Sequence, residues 1–183
     1  LKVAFAFILS MPGAPFIYYG DEIGMRYVEG LKSVEGGYNR TGSRSPMQWD
    51  DSTNAGFSSA PASDLYIAMD PDKDRPTAKK EMAAPDSLYH EVKKLIRIRQ
   101  SHKALQSRGK ITFVYAEKNT YPLAYIREDG DEKILVIINA AAEAKTFACD
   151  AEPKEAIYNF GAAAEAKNGK ITVPAQSAGF YRI

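Results

Sequence analysis

The sequence predicts an α+β chain in which a helix–strand–loop–helix run is followed by an antiparallel all-β region. Three observations carry this reading. Phe16-Ile17-Tyr18-Tyr19 is an unbroken apolar and aromatic run, which suits a strand covered on both faces, as in a parallel sheet packed between helices. Leu88, Val92, Leu95, Ile96 and Arg99 recur at helical spacing and make one apolar stripe that ends in an arginine stem. After Gly109 the apolar period changes to two, in short stretches separated by turn residues.

Taken in order, Leu1–Ser10 reads as the end of a buried helix, because Ala, Phe, Ile and Leu crowd every face of it. Pro12-Gly13 stops that helix and turns the chain into the strand Phe16–Tyr19. From Gly20 to about Pro85 the chain reads as a long loop, punctuated by Pro46, Pro61, Pro71, Pro76 and Pro85. Short helical turns fit at Asp64–Ile67 and Pro76–Met82, and ordered loops of such length are usually functional. Asp86 or Ser87 is the available N-cap of the next helix, whose C-terminal half is enriched in Lys93, Lys94, Arg97 and Arg99 and which ends near Leu105. The strand-like stretches are Lys110–Ala116, Leu123–Arg127, Ile134–Asn139, Lys145–Ala148, Ala156–Asn159, Ile171–Pro174 and Gly179–Ile183. Asp129-Gly130 and Asn168-Gly169 are hairpin signals, and Ala140–Ala144 and Ala162–Ala166 read as small-residue loops. Such a run of short strands argues for an antiparallel sandwich.

The chain has 183 residues, 45% of them hydrophobic, with 24 basic against 23 acidic side chains and a net charge of +1. That supports a real core and offers no basic stripe, so neither nucleic acid nor a membrane is expected as partner. The lone Cys149 excludes an internal disulfide and a multi-cysteine metal site. His90 and His102 sit on one predicted helix, too far apart to share a metal, and read as surface or helix-end residues. Asp70-Pro71-Asp72-Lys73-Asp74 has the acidity of a calcium loop without its glycine and distal Glu, and reads as a solvated turn. No metal and no cofactor is expected. Lys2, the apolar run Val3–Leu9 and Gly13-Ala14 have some features of a signal peptide, but there is no initiator Met and a buried strand follows. A start in mid-helix is read as a fragment, which leaves localisation open.

Two motifs carry a family resemblance. Pro12–Met25, with its run Phe-Ile-Tyr-Tyr-Gly-Asp-Glu-Ile-Gly-Met, resembles the eighth barrel strand of the α-amylase family of glycoside hydrolases. Arg44-Ser45-Pro46-Met47-Gln48-Trp49-Asp50, followed by Asn54-Ala55-Gly56-Phe57-Ser58, resembles the loop after that strand on the α-glucosidase and trehalose-synthase side of the family. The resemblance implies that residues 1–107 are the C-terminal end of a catalytic (β/α)8 TIM barrel: helix 7 tail, strand 8, a long loop and helix 8. Residues 108–183 would then be the C-terminal all-β domain, an antiparallel β-sandwich. It also implies a retaining reaction on α-glucosidic bonds, run by Asp and Glu residues on earlier strands outside this chain. No catalytic residue is therefore expected here, and the chain alone is expected to be inactive.

Asp21 and Glu22 form an adjacent acid pair. A retaining pair needs carboxyls about 5–5.5 Å apart facing one sugar, whereas neighbours on a strand point to opposite faces. They are read as structural support of the site, bonding loop backbone and nearby arginines, with a minor substrate contact as the alternative. The resemblance gives Arg44 the sharper role of closing the pocket for the non-reducing glucose, where an aspartate from the first barrel loop pairs with it. Its forked donors suit carboxylates or vicinal hydroxyls, and the plain alternative is a loop tie. Trp49 is read as a ring packing the loop, with sugar stacking as the alternative. Tyr38 and Asn39, after Gly36-Gly37, are read as rimming the acceptor side.

Two functions stay in view. One is the C-terminal portion of an α-glucoside-acting hydrolase or transglucosylase, whose partners are an α-linked glucosaccharide and the N-terminal remainder of the barrel. The other is a non-catalytic β-sandwich module binding glycan or protein, marked by an exposed aromatic row drawn from Tyr115, Tyr121, Tyr125 and Tyr158. A barrel strand without its neighbours has an open edge, so the isolated chain is expected to self-associate. Residues 1 to about 105 are expected to be poorly protected, with 108–183 folding independently.

Overall fold

The apolar start of the chain folds as helix α1 (Lys2–Ser10), and the long amphipathic helix is α3 (Leu88–Ser101), preceded by a short α2 (Ala78–Ala83). The computed structural model describes residues 1–183, which divide into two units: Leu1–Phe16 with Val92–Ile183, and Ile17–Glu91. Each is taken separately.

The first unit holds all eight strands. These are β1 (Lys110–Tyr115), β2 (Leu123–Asp129), β3 (Glu132–Asn139), β4 (Lys145–Ala148), β5 (Glu155–Phe160), β6 (Glu165–Lys167), β7 (Lys170–Val173) and β8 (Ser177–Arg182). They form a five-stranded sheet ordered β1-β2-β3-β8-β5 and a three-stranded sheet ordered β4-β7-β6, antiparallel throughout. The seven sequence-derived strands are all present. The eighth, β6, lies in a stretch read as an alanine-rich loop. It pairs only with β7 and exposes all three residues, so no apolar alternation marks it. Asn168 and Gly169 both take positive φ (52° and 69°), the primed turn that closes β6 onto β7.

Ala124, Leu135 and Ile137 of the larger sheet meet Phe147, Ile171 and Val173 of the smaller one in a single buried cluster. The opposite face of β3 is covered as well, since α1 lies against β3 and β8. Ile134 to Ile138 are consequently all buried, which explains an apolar run where a half-buried strand would alternate. On that face the Tyr125 hydroxyl meets Ser10 Oγ at 2.6 Å, and burial pushes its pKa up to about 12.

Two arginines close the helix–sheet junction. Arg99 of α3 is buried and donates to the carbonyls of Leu9 and Met11 at 2.8 Å and Gly13 at 2.6 Å, capping the C-terminal end of α1. Arg127 of β2 is fully buried and donates to Ser10, Gln106, Gly109 and Lys110 carbonyls. Burial, with Arg99's charge adding to it, pushes the Arg127 pKa down to about 10. Gly109 has no room for a side chain here, because a Cβ would stand 2.1 Å from the Ala104 carbonyl oxygen. α1 and the C-terminal part of α3 belong to the unit that holds the sheets.

The second unit contains α2 and short 3-10 turns at Asp21–Ile23, Thr41–Arg44, Thr53–Gly56 and Ala62–Asp64. Its small core is Ile23, Met47 and Ala78, with Met25 packed on it. The strand expected at Phe16–Tyr19 is absent. No other segment of this chain runs beside it to complete a ladder, and Phe16 is 92% exposed. Phe16 closes the first unit and Ile17 opens the second. Thr77 Oγ1 caps α2 by accepting from the Lys80 amide, and Ser87 Oγ, the expected alternative to Asp86, accepts from the His90 amide at the start of α3.

Truncating Arg127 to Met is expected to destabilise the chain by about 3–5 kcal/mol, because its carbonyl partners lose their donor in the interior. Arg127→Lys is expected to recover little of this, and urea denaturation measures both. Glu132 supplies a pH-dependent element. Its carboxylate accepts from His102 Nδ1 at 2.6 Å and the Ala104 amide at 2.9 Å. Burial pushes its pKa up, but these bonds and the histidine outweigh burial and hold it below the usual carboxylate range. A carboxyl lowered on folding adds stability that is complete above its unfolded pKa and lost as pH falls through the folded value. Between about pH 6 and about pH 3 the native chain should therefore lose more stability than Glu132→Gln; equal losses would remove this role from Glu132.

Candidate functional site

The second unit is organised around the extended segment Pro46–Trp49. Pro46, Met47 and Trp49 line one pocket, while Gln48 between them is fully buried and its Nε2 donates to the Pro76 carbonyl at 3.0 Å. The backbone is held from two directions. The amides of Trp49 and Asp50 both donate to the Ala55 carbonyl, at 2.8 and 3.2 Å. The first amides of α2, Ala78 and Lys79, donate to the carbonyls of Gln48 and Trp49 at 2.8 and 2.9 Å. A helix N-terminus has unpaired amides to offer, and here they are spent on this segment.

Ala55 reaches that position through an unusual turn. Asn54 (φ 51°, ψ 34°) and Ala55 (φ 53°, ψ 34°) are both left-handed. Asn accepts this conformation, but in Ala it costs about 1–2 kcal/mol. Asn54 Nδ2 donates to the carbonyls of Ser58 and Ala60, and the next residue, Gly56, also has positive φ, with Asp50 where a Cβ would stand. The turn is over-determined by these bonds, which is how such strain persists.

Tyr19, Glu22, Arg44, Pro46, Met47, Trp49, Phe57, Tyr66 and Ile67 surround one pocket of about 380 Å³. Trp49, Phe57 and Tyr66 are 51%, 49% and 53% exposed. The Arg44 guanidinium is exposed and makes no hydrogen bond or ion pair within the chain. The Tyr19 hydroxyl donates to the Ser45 carbonyl at 3.1 Å, and burial, with Tyr18 beside it, raises its pKa while Arg44 pulls the other way. It is a neutral donor at the foot of the Arg44 turn. An aromatic wall with few polar groups is the usual make-up of a small-molecule pocket.

The structure brings Arg44, Glu22 and Trp49 together and leaves Asp21, Tyr38 and Asn39 outside the pocket lining. Asp21 and Glu22 lie in a 3-10 turn, not on a strand, and each carboxylate accepts a local amide at 2.9 Å: Asp21 from Tyr18, Glu22 from Gly20. No arginine pairs with either, so the expected ion pairs are absent. Trp49 does not have the buried ring expected of a packing residue. The ring of Tyr38 carries the Arg40 guanidinium 5.5 Å from its centre, and the Asn39 carbonyl accepts from the Tyr27 hydroxyl. Asp70 is not solvated but buried, with Arg26 at 3.4 Å and the Asp72 amide at 2.9 Å. His90 Nε2 lies 3.0 Å from the Met82 carbonyl oxygen. No group of three or more His, Cys, Asp or Glu is placed to hold a metal ion, and no helix is long and apolar enough to cross a membrane. Tyr125 and Tyr158 are buried and Tyr115 stacks on Phe147, so these tyrosines do not form an exposed row. Sequence reasoning missed Tyr19, Phe57 and Tyr66 as pocket residues. The first two stand inside motifs already singled out, and Tyr66 gave no local signal.

Comparison with known proteins shows the family to which the chain belongs. The model described as "Alpha amylase, catalytic domain" matches residues 1–108. A glucan 1,6-alpha-glucosidase of Streptococcus pneumoniae is 30% identical over 93% of this chain and 36% of its own length. A trehalose synthase of Thermus thermophilus is 32% identical over 78% of this chain and 14% of its own. The trehalulose synthase MutB of Pseudomonas mesoacidophila superposes on 99% of this chain and 37% of its own, with a TM-score of 0.82 and 26% identity. The chain thus spans little more than a third of such relatives at most, and it belongs to the α-amylase family of glycoside hydrolases.

Proposed function

We propose that this chain is the C-terminal portion of an enzyme acting on α-glucosidic bonds of oligosaccharides, with the carboxylates that do the chemistry carried elsewhere in the whole protein. The pocket around Arg44 is the observation that carries this. Its guanidinium has no partner within the chain, although it stands among aromatic side chains just before the segment Pro46–Trp49, which is pinned through four backbone hydrogen bonds. A group held ready in this way suits either a sugar's vicinal hydroxyls or a carboxylate from another part of the barrel. Relatives named for α-glucosidase and trehalose synthase activity support the same substrate class.

On this reading residues 1–107 are the end of the catalytic barrel and 108–183 the C-terminal β-domain, a division that the family match ending at residue 108 supports. In the whole protein Phe16–Tyr19, which forms no strand in this chain by itself, would become the eighth barrel strand, with the N-terminal remainder of the barrel as the partner that supplies its neighbours. Without that partner the exposed Phe16 and Tyr18 favour self-association. Asp21 and Glu22 support the loop through their backbone bonds, Arg44 binds the substrate's non-reducing glucose, and Tyr38 and Asn39 rim the acceptor side. Retaining chemistry by an Asp nucleophile and a Glu acid/base belongs to the whole enzyme.

The expected result is that the 183-residue chain alone releases no glucose from isomaltose or maltose, while the chain joined to a family barrel half does. In the joined protein Arg44→Ala should abolish turnover of short α-glucosides with an unchanged circular dichroism spectrum. Turnover that survives Arg44→Ala would overturn the role of Arg44, and turnover by the chain alone would overturn the assignment of the carboxylates.

A further inference from the structure

We propose that Arg26 is a positioning residue for Arg44: it clasps Asp70 and Asp72, and the clasp fixes the segment on which the Arg44 turn is seated. The proposal rests on the α-glucoside reading above and adds to it a residue outside the pocket lining that sets the pose of the pocket's cation.

Three observations link the two arginines. The clasp itself is forked: Arg26 Nη1 lies 2.9 Å from Asp72 Oδ2, and Nη2 lies 3.4 Å from the buried Asp70 Oδ2. Each carboxylate keeps its other oxygen for the backbone. Asp70 Oδ1 accepts the Asp72 amide and Asp72 Oδ1 the Asp74 amide, both at 2.9 Å. Arg75 Nη1 donates to the Asp70 and Asp72 carbonyls at 3.3 Å, so the two carboxylates are set by their own loop before Arg26 meets them. Next, the residues that follow Arg26 carry the Arg44 turn. The Val28 amide donates to the Gly42 carbonyl, and the Tyr27 hydroxyl to the Asn39 carbonyl, each at 3.0 Å. A Cβ at Gly42 would collide with the Val28 carbonyl and the Tyr27 ring, so only glycine permits this seat. Gly42 belongs to the 3-10 turn Thr41–Arg44, which ends on Arg44 itself. Last, the clasp ties two flanks of one pocket, since Arg26 comes shortly after the lining residue Glu22 and Asp70 shortly after the lining residue Ile67. The Arg26 and Asp72 side chains are each 46% exposed, and an exposed ion pair contributes little to stability. What a forked guanidinium contributes is direction. The path runs from the acidic loop through Arg26, Tyr27 and Val28 to Gly42, and ends at Arg44.

The experiment is amide NMR of the 183-residue chain, with kinetics of the joined protein as its second arm. Arg26→Gln and Asp72→Asn should each move the resonances of Gly42, Ser43 and Arg44, which are remote in sequence from both substitutions, while those of β3 stay in place. The charge-swapped pair Arg26→Asp with Asp72→Arg should bring them back toward their native positions. In the joined protein Arg26→Gln should raise KM for maltose about tenfold to a hundredfold with a much smaller change in kcat, and Arg26→Lys should recover part of the loss. Resonances of Gly42 to Arg44 that stay in place in a folded Arg26→Gln chain would overturn the proposal. If Arg26→Gln unfolds the chain, Asp72→Asn decides, and resonance changes confined to Asp70–Asp74 would equally overturn it. The two readings fail separately. Coupled resonance changes in a chain whose joined form turns over no α-glucoside sink the enzymatic reading and leave the clasp. Turnover by the joined form with a KM indifferent to Arg26→Gln sinks the clasp alone.

Discussion

The first unit depends on a requirement that helix ends make everywhere: the last carbonyls of α1 need donors where water does not reach. Arg99 and Arg127 meet it together, one reaching Leu9, Met11 and Gly13 and the other Ser10. Neither side chain has a carboxylate partner in the ion pairs of the chain, so the compensation for burying two cations comes from oriented carbonyl dipoles. A buried charge is tolerated when each of its donors is used, and a planar guanidinium spreads its donors over several acceptors at once. The same Arg127 fork gathers Gln106, Gly109 and Lys110, the stretch that leads from the helical part of the chain into β1. Helix end, connecting turn and central sheet therefore share one polar centre, surrounded by Tyr125 and the continuous apolar strand β3.

The second unit has almost no regular structure, and it meets the same requirement differently. Its central segment takes its donors from the first turn of α2 and its acceptor from Ala55, at the expense of an alanine in the left-handed region. The result is a loop with a defined inner wall. Asp21 and Glu22, the most conspicuous acids in the sequence, are each occupied by a neighbouring amide, of Tyr18 and Gly20 respectively. Arg44 stands in the same pocket as Glu22 without a hydrogen bond or ion pair inside the chain.

Much of this was legible in the residues. The strands from β1 to β8 declare themselves through period two and hairpin signals, with β6 the exception because a three-residue exposed edge strand has nothing to alternate. Helix α3 is readable down to Arg99, whose place at the end of an apolar stripe marked it as a packing stem; that the guanidinium itself caps another helix required the third dimension. Arg127 sits among β-strand residues with no local mark of its partners, which lie at Ser10 and Gln106–Lys110. Phe16–Tyr19 has the composition of a covered strand, but a strand is a property of its neighbours, and this chain offers none. In the site, Arg44 and Trp49 were visible as a motif, whereas Tyr66 enters the pocket through a chain path that composition does not encode.

The central claim is that the loop of the second unit is a built structure and not a tether. Hydrogen exchange resolved to single amides in the 183-residue chain tests it most directly. The account predicts slow exchange at Trp49, Asp50, Ala78 and Lys79, the amides committed to Ala55, Gln48 and Trp49 carbonyls, against fast exchange at Gly37 and Lys73, whose amides have no such partner. Exchange of all six at the rates of an unstructured peptide would contradict it.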